Sequence, residues 1–554
     1  MQTVFNPDRP KDSAGRAGAF PKGTTVFFGG TTVFFCLTLI SLMAVFFTLA
    51  EGIRVLALNR SCDRITENST NAVFSRFVDC LWTDYGILGV DLTCAGQDTS
   101  GQMLADYGLS YAQQSGNPGK DIGVTYLRLN ADSCQIRSYG LLTDQGGTPF
   151  LRMAAETALE DIPEELLQKK TEEIQEGQEI SDSSESIDQL LDNGDQALKN
   201  VKKQEEKKQQ EAKAAANTAA NTAGINASAH SGAVIEAGGA GEELTPQEKA
   251  RREAETKKWE GVSNPIPMVR EWKSKDILEL LLPQDCQVSE KTLGVEDLVS
   301  KRHLNQGNKT AAGLSPVDRI LCQQYAKSHL GWFMEPLESG SLAYGSEYLI
   351  AGKNSDRENL KATALRILAM REGQNLISIM KDEEKKNLAR SFASVLSAFS
   401  GEALELPIEL AILAAWAFVE SVLDLRALFA GEKVPIVKSK EEWKSSLENL
   451  GKSMAKEEKS NGSDHGLNYE AYLGILFLTL TTEKMGLRSL DLIEADIRTR
   501  QGYESIRMDR LVYSADLEWE YHASPVFLSF VPNISGGGDL YDYKRQKSFS
   551  YLKE

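Results

Sequence analysis

Glu420 and Asp424 stand four residues apart, directly after an apolar run, and their types and spacing could do proton-transfer chemistry. On a helix the two carboxylates share a face, where like charges repel and where an acid and a base could divide the work. The competing arrangement is an ion-pair network, with Arg366 and Arg371 on another helix as its cations. Arg426, the nearest cation in sequence, points elsewhere, which is why the partners are sought on another helix; ion pairing within the bundle is the favoured reading. A second charged pair, Glu51 and Arg54, is spaced i,i+3 at the end of a hydrophobic stretch and suits a lipid–water interface. Little else offers chemistry. The five histidines (His230, His303, His329, His465 and His522) are scattered, and neither a zinc-protease nor a nucleophile-elbow motif occurs. Tyr325 and His329, i,i+4 on one helix, suit a structural contact. Gly345, Gly352, Lys353 and Asn354 resemble a phosphate loop. Six residues separate those glycines where four are required, and Asn replaces the magnesium-binding hydroxyl. No catalytic residue, metal site or cofactor is expected.

Of the seven cysteines, Cys36 lies within the hydrophobic stretch, leaving Cys62, Cys80, Cys94, Cys134, Cys286 and Cys322 as candidates for disulfides. An exported location permits bridges; free buried thiols are the alternative. Cys62 and Cys80 read onto one helix, about 27 Å apart at about 1.5 Å per residue, so they cannot bridge each other.

The element that places Glu51 and Arg54 is an anchor. Residues 31–50 carry no charge, and a helix of that length spans roughly the 30 Å of a bilayer's hydrocarbon core. The uncharged stretch reaches back to Gly23 through a duplicated unit, Gly23-Thr-Thr-Val-Phe-Phe-Gly29 and Gly30-Thr-Thr-Val-Phe-Phe-Cys36. Arg9, Lys11, Arg16 and Lys22 before it, against Arg54, Arg60 and Arg64 after it, favour a cytoplasmic N-terminus. A cleavable signal sequence has a shorter apolar region, so residues 1–22 read as a cytoplasmic tail, 23–50 as the transmembrane anchor, and the bulk of the chain as extracellular.

Beyond the anchor, Val55, Leu58, Cys62, Ile65, Val73 and Phe77 keep helical spacing, predicting an amphipathic stalk over 51–83. Residues 84–158 read as a small α+β domain with strands at Ile122–Tyr126 and Ile136–Leu141 and a turn at Asp144–Gly147. Residues 159–262 form an acidic and then Ala-rich flexible linker, with thirteen acids against two lysines between 160 and 195. That segment holds more than half of the net charge of −18, and no basic domain remains to bind nucleic acid. Residues 263–502 carry helix starts: Ser315-Pro316 and the capping boxes at Ser355 and Ser439. They predict a helical bundle with helices near 315–334, 355–380, 382–400, 404–430, 440–456 and 468–500. In 503–554, a C-terminal β region, Leu517, Trp519 and Tyr521 alternate with acids as in a half-buried strand, and Val526–Val531 and Tyr541–Tyr551 suggest further strands. Neither strand set suffices alone, so the C-terminal strands should complete the sheet of the small domain. The fold class is α+β: a membrane helix, a stalk, a small α+β head and a large inserted bundle.

Certain segments carry a resemblance. Gly30-Thr-Thr-Val-Phe-Phe, Leu49-Ala-Glu51-Gly-Ile-Arg54 and Trp82-Thr-Asp-Tyr85 are similar to an uncharacterised family of membrane-anchored proteins of Gram-positive bacteria related to Tad-type (tight adherence) pilus pseudopilins. So are Glu347–Leu360, Ala415–Arg426, Lys433–Ile436, Leu467–Tyr472 and Asp491–Arg498. The resemblance implies a structural or assembly role beside other pseudopilin-like or Tad-apparatus proteins or further copies of the chain, with the lipid bilayer as a fixed partner. It also implies that Glu51 and Arg54 match the acidic–basic pair closing the hydrophobic segment in those pseudopilins. Pilin-like precursors are cut after a glycine with Glu five residues on; here Phe28 or Phe35 holds that place, so an uncut anchor is expected. A surface receptor or adhesin, its helical domain holding a ligand or wall polymer, is the second expectation.

Overall fold

The computed structural model describes residues 27–93, 100–116, 127–163, 246–283, 286–294, 296–398, 402–454, 463, 465–529 and 541–553, with scattered positions between 168 and 207. Cys94, the expected strand 122–126, the glycine turn near 536 and most of the linker lie outside them. The chain divides into two compact units. One holds Met1–Ala72, Ala105–Gln135 and Glu518–Lys547; the other holds Val73–Leu104, Ile136–Leu517 and Ser548–Glu554.

Helix α1 runs unbroken over Phe27–Phe74. In its first half the apolar side chains are bare; in its second, Leu58, Cys62, Ile65 and Ser69 form a buried stripe at helical spacing. Within the first unit this stripe meets the strand residues of 518–547: Thr66 and Tyr521 share a hydrogen bond of 2.8 Å, and Arg545 pairs with Asp63. The stalk helix stops earlier than its periodicity suggests. Phe77 bridges Val90 and the Val78 amide donates to the Gly89 carbonyl at 3.0 Å, so strand-like pairing overrides helix propensity. A separate α2, Asp79–Tyr85, follows, and Cys62 and Cys80 therefore sit on different helices.

The sheet comprises β1 (Val90–Asp91), β2 (Leu129–Leu141), β3 (Leu511–Ala523) and β4 (Tyr541–Ser550). β3 pairs with each of the others, antiparallel to β1 in the register Val90–Val512. The C-terminal strands thus complete the sheet that β2 begins, and the bundle is an insertion between β2 and β3. Leu517, Trp519 and Tyr521 are buried as their alternation requires. Val526–Val531 is not a strand over its described part: residues 526–529 turn, because two of their amides serve another partner, described below.

Helix α3 (Gln102–Gly116) precedes β2, and α4 (Asp144–Asp161) follows it. At the head of α4, Gln145, Gly146 and Gly147 all have positive φ, making the expected turn before Pro149 starts the helix proper. Then come α5 (Pro246–Lys258), α6 (Pro265–Ser274), α7 (Pro316–Leu330), α8 (Gly345–Ala351), α9 (Asp356–Lys381), α10 (Glu383–Leu396), α11 (Glu402–Phe429), α12 (Tyr469–Leu478) and α13 (Thr482–Arg498). Ser315 caps α7 in a full capping box with Asp318, and Ser355 caps α9 by accepting from the Glu358 amide. α9 and α10 pack on α11, and α4 packs on α7 and α13. α11 is long and apolar enough to cross a membrane, yet 83% of its apolar stretch is buried, against 0% for α1. It is the bundle's core.

Two expected helices differ. The 440–456 segment is largely irregular over its described part, with a 3-10 turn at Leu447–Asn449 running into one short α-helix at Leu450–Ser453; of the expected capping box it keeps the Ser439 amide donating to Glu442 at 2.8 Å. The Lys444 and Ser445 amides and the Ser445 hydroxyl are claimed by Glu420. The 468–500 helix is two, since Thr481 caps a fresh start at α13.

Candidate functional site

The first site is the Glu51–Arg54 pair on α1. The pair is buried, Glu51 2% and Arg54 4% exposed, and its charged atoms meet at 2.7 Å. The Glu51 carboxylate also accepts the Phe527 and Val526 amides at 2.7 and 3.2 Å, and Arg54 donates to the Leu127 carbonyl. An ordinary interfacial ion pair would stay wet. Here one helical turn of charge fastens two chain crossings of the same unit to α1.

The second site lies in the bundle. Arg371 on α9 donates to Asp424 on α11 through Nη2 at 2.6 Å and Nε at 3.0 Å. Its Nη1 reaches Gln374 at 2.7 Å, the Pro435 carbonyl at 2.9 Å and the Tyr472 hydroxyl at 3.1 Å. Lys438 lies between the two carboxylates, 2.5 Å from Asp424 and in contact with Glu420. Glu420 accepts further from the Ser445 hydroxyl at 2.6 Å and the Lys444 amide at 3.1 Å. Asn375 donates to Asp424 and to Ser421, each at 2.9 Å. Arg371, Glu420 and Asp424 are all 0% exposed. Burial alone would raise the Asp424 carboxyl; Arg371 and Lys438 outweigh it and hold the group below its ordinary range. Two anions thus face two cations in a dry, hydrogen-bonded cage with no face open to a substrate. Arg366 is not part of it: its guanidinium donates to the Ile350 carbonyl at 2.8 Å, at the end of α8.

Sequence reasoning passed over Lys438, Gln374, Asn375 and Tyr472. A signal was there: Arg371, Gln374, Asn375 and Ser378 follow i, i+3, i+4, i+7, a polar stripe on a helix otherwise packed inward. It also passed over Glu347. That residue sits on α8, which Gly352 terminates at φ +66°, so the glycines resembling a phosphate loop bracket a helix. Glu347 is 0% exposed; Tyr469 donates to it at 2.8 Å and the Phe333 amide at 3.1 Å, while its Oε2 has no partner among the described residues. Burial pushes its carboxyl up to about 7, despite those two donors.

Buried acids on α13 hold the loops around it. Asp491 accepts from the Ser300 hydroxyl and amide at 2.6 and 2.9 Å, and Arg302 bridges Glu494 and Asp509, each at 2.5 Å. The cysteines Cys62, Cys80, Cys134 and Cys322 are buried free thiols. Tyr325 and His329 stack, ring centroids 4.4 Å apart. Among the described residues no three His, Cys, Asp or Glu converge as metal ligands. A groove of about 540 Å³ opens in the bundle beside Trp272, Lys273, Lys275, Lys361, Leu365 and Glu372.

Residues 255–523, the bundle and β3, match a family of unknown function (DUF5702). Comparison with curated proteins and with solved structures gave no match.

Proposed function

We propose that the chain is a membrane-anchored extracytoplasmic assembly protein, a pseudopilin-like component of a Tad-type pilus or secretion apparatus. One observation carries the reading: a single helix, α1, is bare and apolar in its first half and buried along one stripe in its second. That arrangement suits an anchor which doubles as the spine of an extracellular head. The ion pairs of the bundle serve its architecture, leaving its outer surface for neighbours in the apparatus. Cross-linking in intact cells followed by mass spectrometry tests it. Other single-span membrane proteins and an integral platform protein are the expected partners, and a C-terminal tag should be digested by protease added to intact protoplasts. A shielded tag overturns the orientation. Cross-links to wall polymer alone favour the receptor or adhesin reading, which the lysine-rimmed groove of the bundle supports by its charge and its 540 Å³ volume.

A further inference from the structure

The uncharged stretch ends at Ala50, but the apolar surface of α1 does not. Phe35, Leu39, Leu42, Phe46, Leu49, Ile53 and Leu56 repeat at i+4 and i+3 along one exposed stripe; Leu49, Ile53 and Leu56 are 63%, 69% and 67% exposed. Only at Arg60, then Asp63 and Arg64, does this face turn polar. From Phe35 to Leu56 the stripe covers about 32 Å at about 1.5 Å per residue, the thickness of a hydrocarbon core. A bilayer placed by charge alone would stop at Ala50 and leave Ile53 and Leu56 in water. The reason charge misleads is on the opposite side of the helix. Glu51 and Arg54 neutralise each other and are roofed by the Leu127 carbonyl and the amides of Val526 and Phe527. A charge pair so covered need not stay above the lipid. Its roof is apolar too: Pro525 is buried, and Val526, Phe527 and Leu528 are part-exposed.

We infer that the bilayer boundary on the head side lies between Leu56 and Arg60, so that the turn at 524–529 dips into the lipid interface as a second membrane contact beside α1. This rests on the anchor reading above and fixes its depth. Glu51 pins the turn at that level, so the head is seated in the membrane surface rather than held clear of it by the helix. The weakly apolar Gly29-Gly30-Thr31-Thr32 end is then the part of α1 that lies in the opposite interface.

The test uses the full chain in phosphatidylglycerol–phosphatidylcholine vesicles, with Cys36, Cys94 and Cys286 replaced by Ser. Nitroxide is attached after Leu528→Cys or Ile53→Cys, with Leu42→Cys and Asn68→Cys as references. Power saturation with oxygen and with a nickel chelate reads depth. The ratio of oxygen to nickel accessibility at positions 528 and 53 should be several-fold above that at 68 and approach that at 42. Values at 528 and 53 equal to those at 68, with 42 still in lipid, overturn the inference and leave the anchor standing. A water-exposed position 42 overturns both. Shielding of 53 and 528 from both reagents means that protein covers the stripe, and likewise overturns the lipid contact.

Discussion

At Glu420 and Asp424 the repulsion expected of two carboxylates one turn apart is cancelled by Lys438 between them and Arg371 beyond. Removing one member of such a dry cage strands its partners, so Arg371→Ala should lower stability by about 3–5 kcal/mol, read by chemical denaturation. The pairing also sets a rescue pattern. Glu420→Lys should be partly restored by Lys438→Glu and not by Arg371→Glu; equal rescue by both would refute the assignment of partners. Glu347 acts in the opposite sense to Asp424. Its folded pKa, about 7, is raised above the ordinary 4.5, so its neutral form suits the fold. Its contribution is complete below pH 4.5 and lost as pH rises through about 7. The depressed Asp424 carboxyl contributes above its unfolded pKa and loses that contribution as pH falls. Glu347→Gln should therefore flatten the fall in melting temperature between pH 5 and 8 while leaving the acid limb in place. An unchanged neutral limb would show that Glu347 is not the group responsible.

Among elements, those with local chemistry at their ends were readable: the caps at Ser315 and Ser355, the Asp144–Gly147 turn and the alternation of Leu517, Trp519 and Tyr521. β2 reads short because, after Leu129, its buried residues Ala131 and Cys134 are too small to stand out from their polar neighbours and lie three apart, out of step with strand alternation. The 440–456 segment has a capping sequence but spends the Lys444 and Ser445 amides on Glu420, and the stalk yields to pairing at Phe77–Val90; both are tertiary effects that no local pattern carries. The ion-pair cage was half legible. Two anions and Arg371 stood out by type and spacing, whereas Lys438 came from a loop with no periodicity to place it. A contact between elements gives a further prediction. Gly486 lies inside α13, where Gly→Ala ordinarily stabilises a helix by about 1 kcal/mol. A Cβ there would lie 2.4 Å from the Gly146 carbonyl oxygen and 3.0 Å from the Gly147 Cα. Gly486→Ala should instead lower the melting temperature, because the turn at the head of α4 would be lifted off α13.

For the whole molecule, the distribution of apolar surface divides the two longest apolar helices by destination: α11 inward, α1 outward. Alkaline carbonate should leave the full-length protein in the membrane pellet, and deletion of residues 1–56 should release it; release of the intact chain would refute anchoring. The order of strands has a consequence for biosynthesis. β3 occupies the middle of the sheet but is made after the entire bundle. At roughly 5–20 residues per second a ribosome needs tens of seconds between β2 and β3. Through that interval β2 has no partner strand, since β1 and β4 likewise pair with β3, and its bare backbone groups are a template for mispairing. Any product truncated ahead of Leu511 would keep β2 unpaired for life, a ready mark by which proteolytic quality control can tell unfinished copies from finished ones.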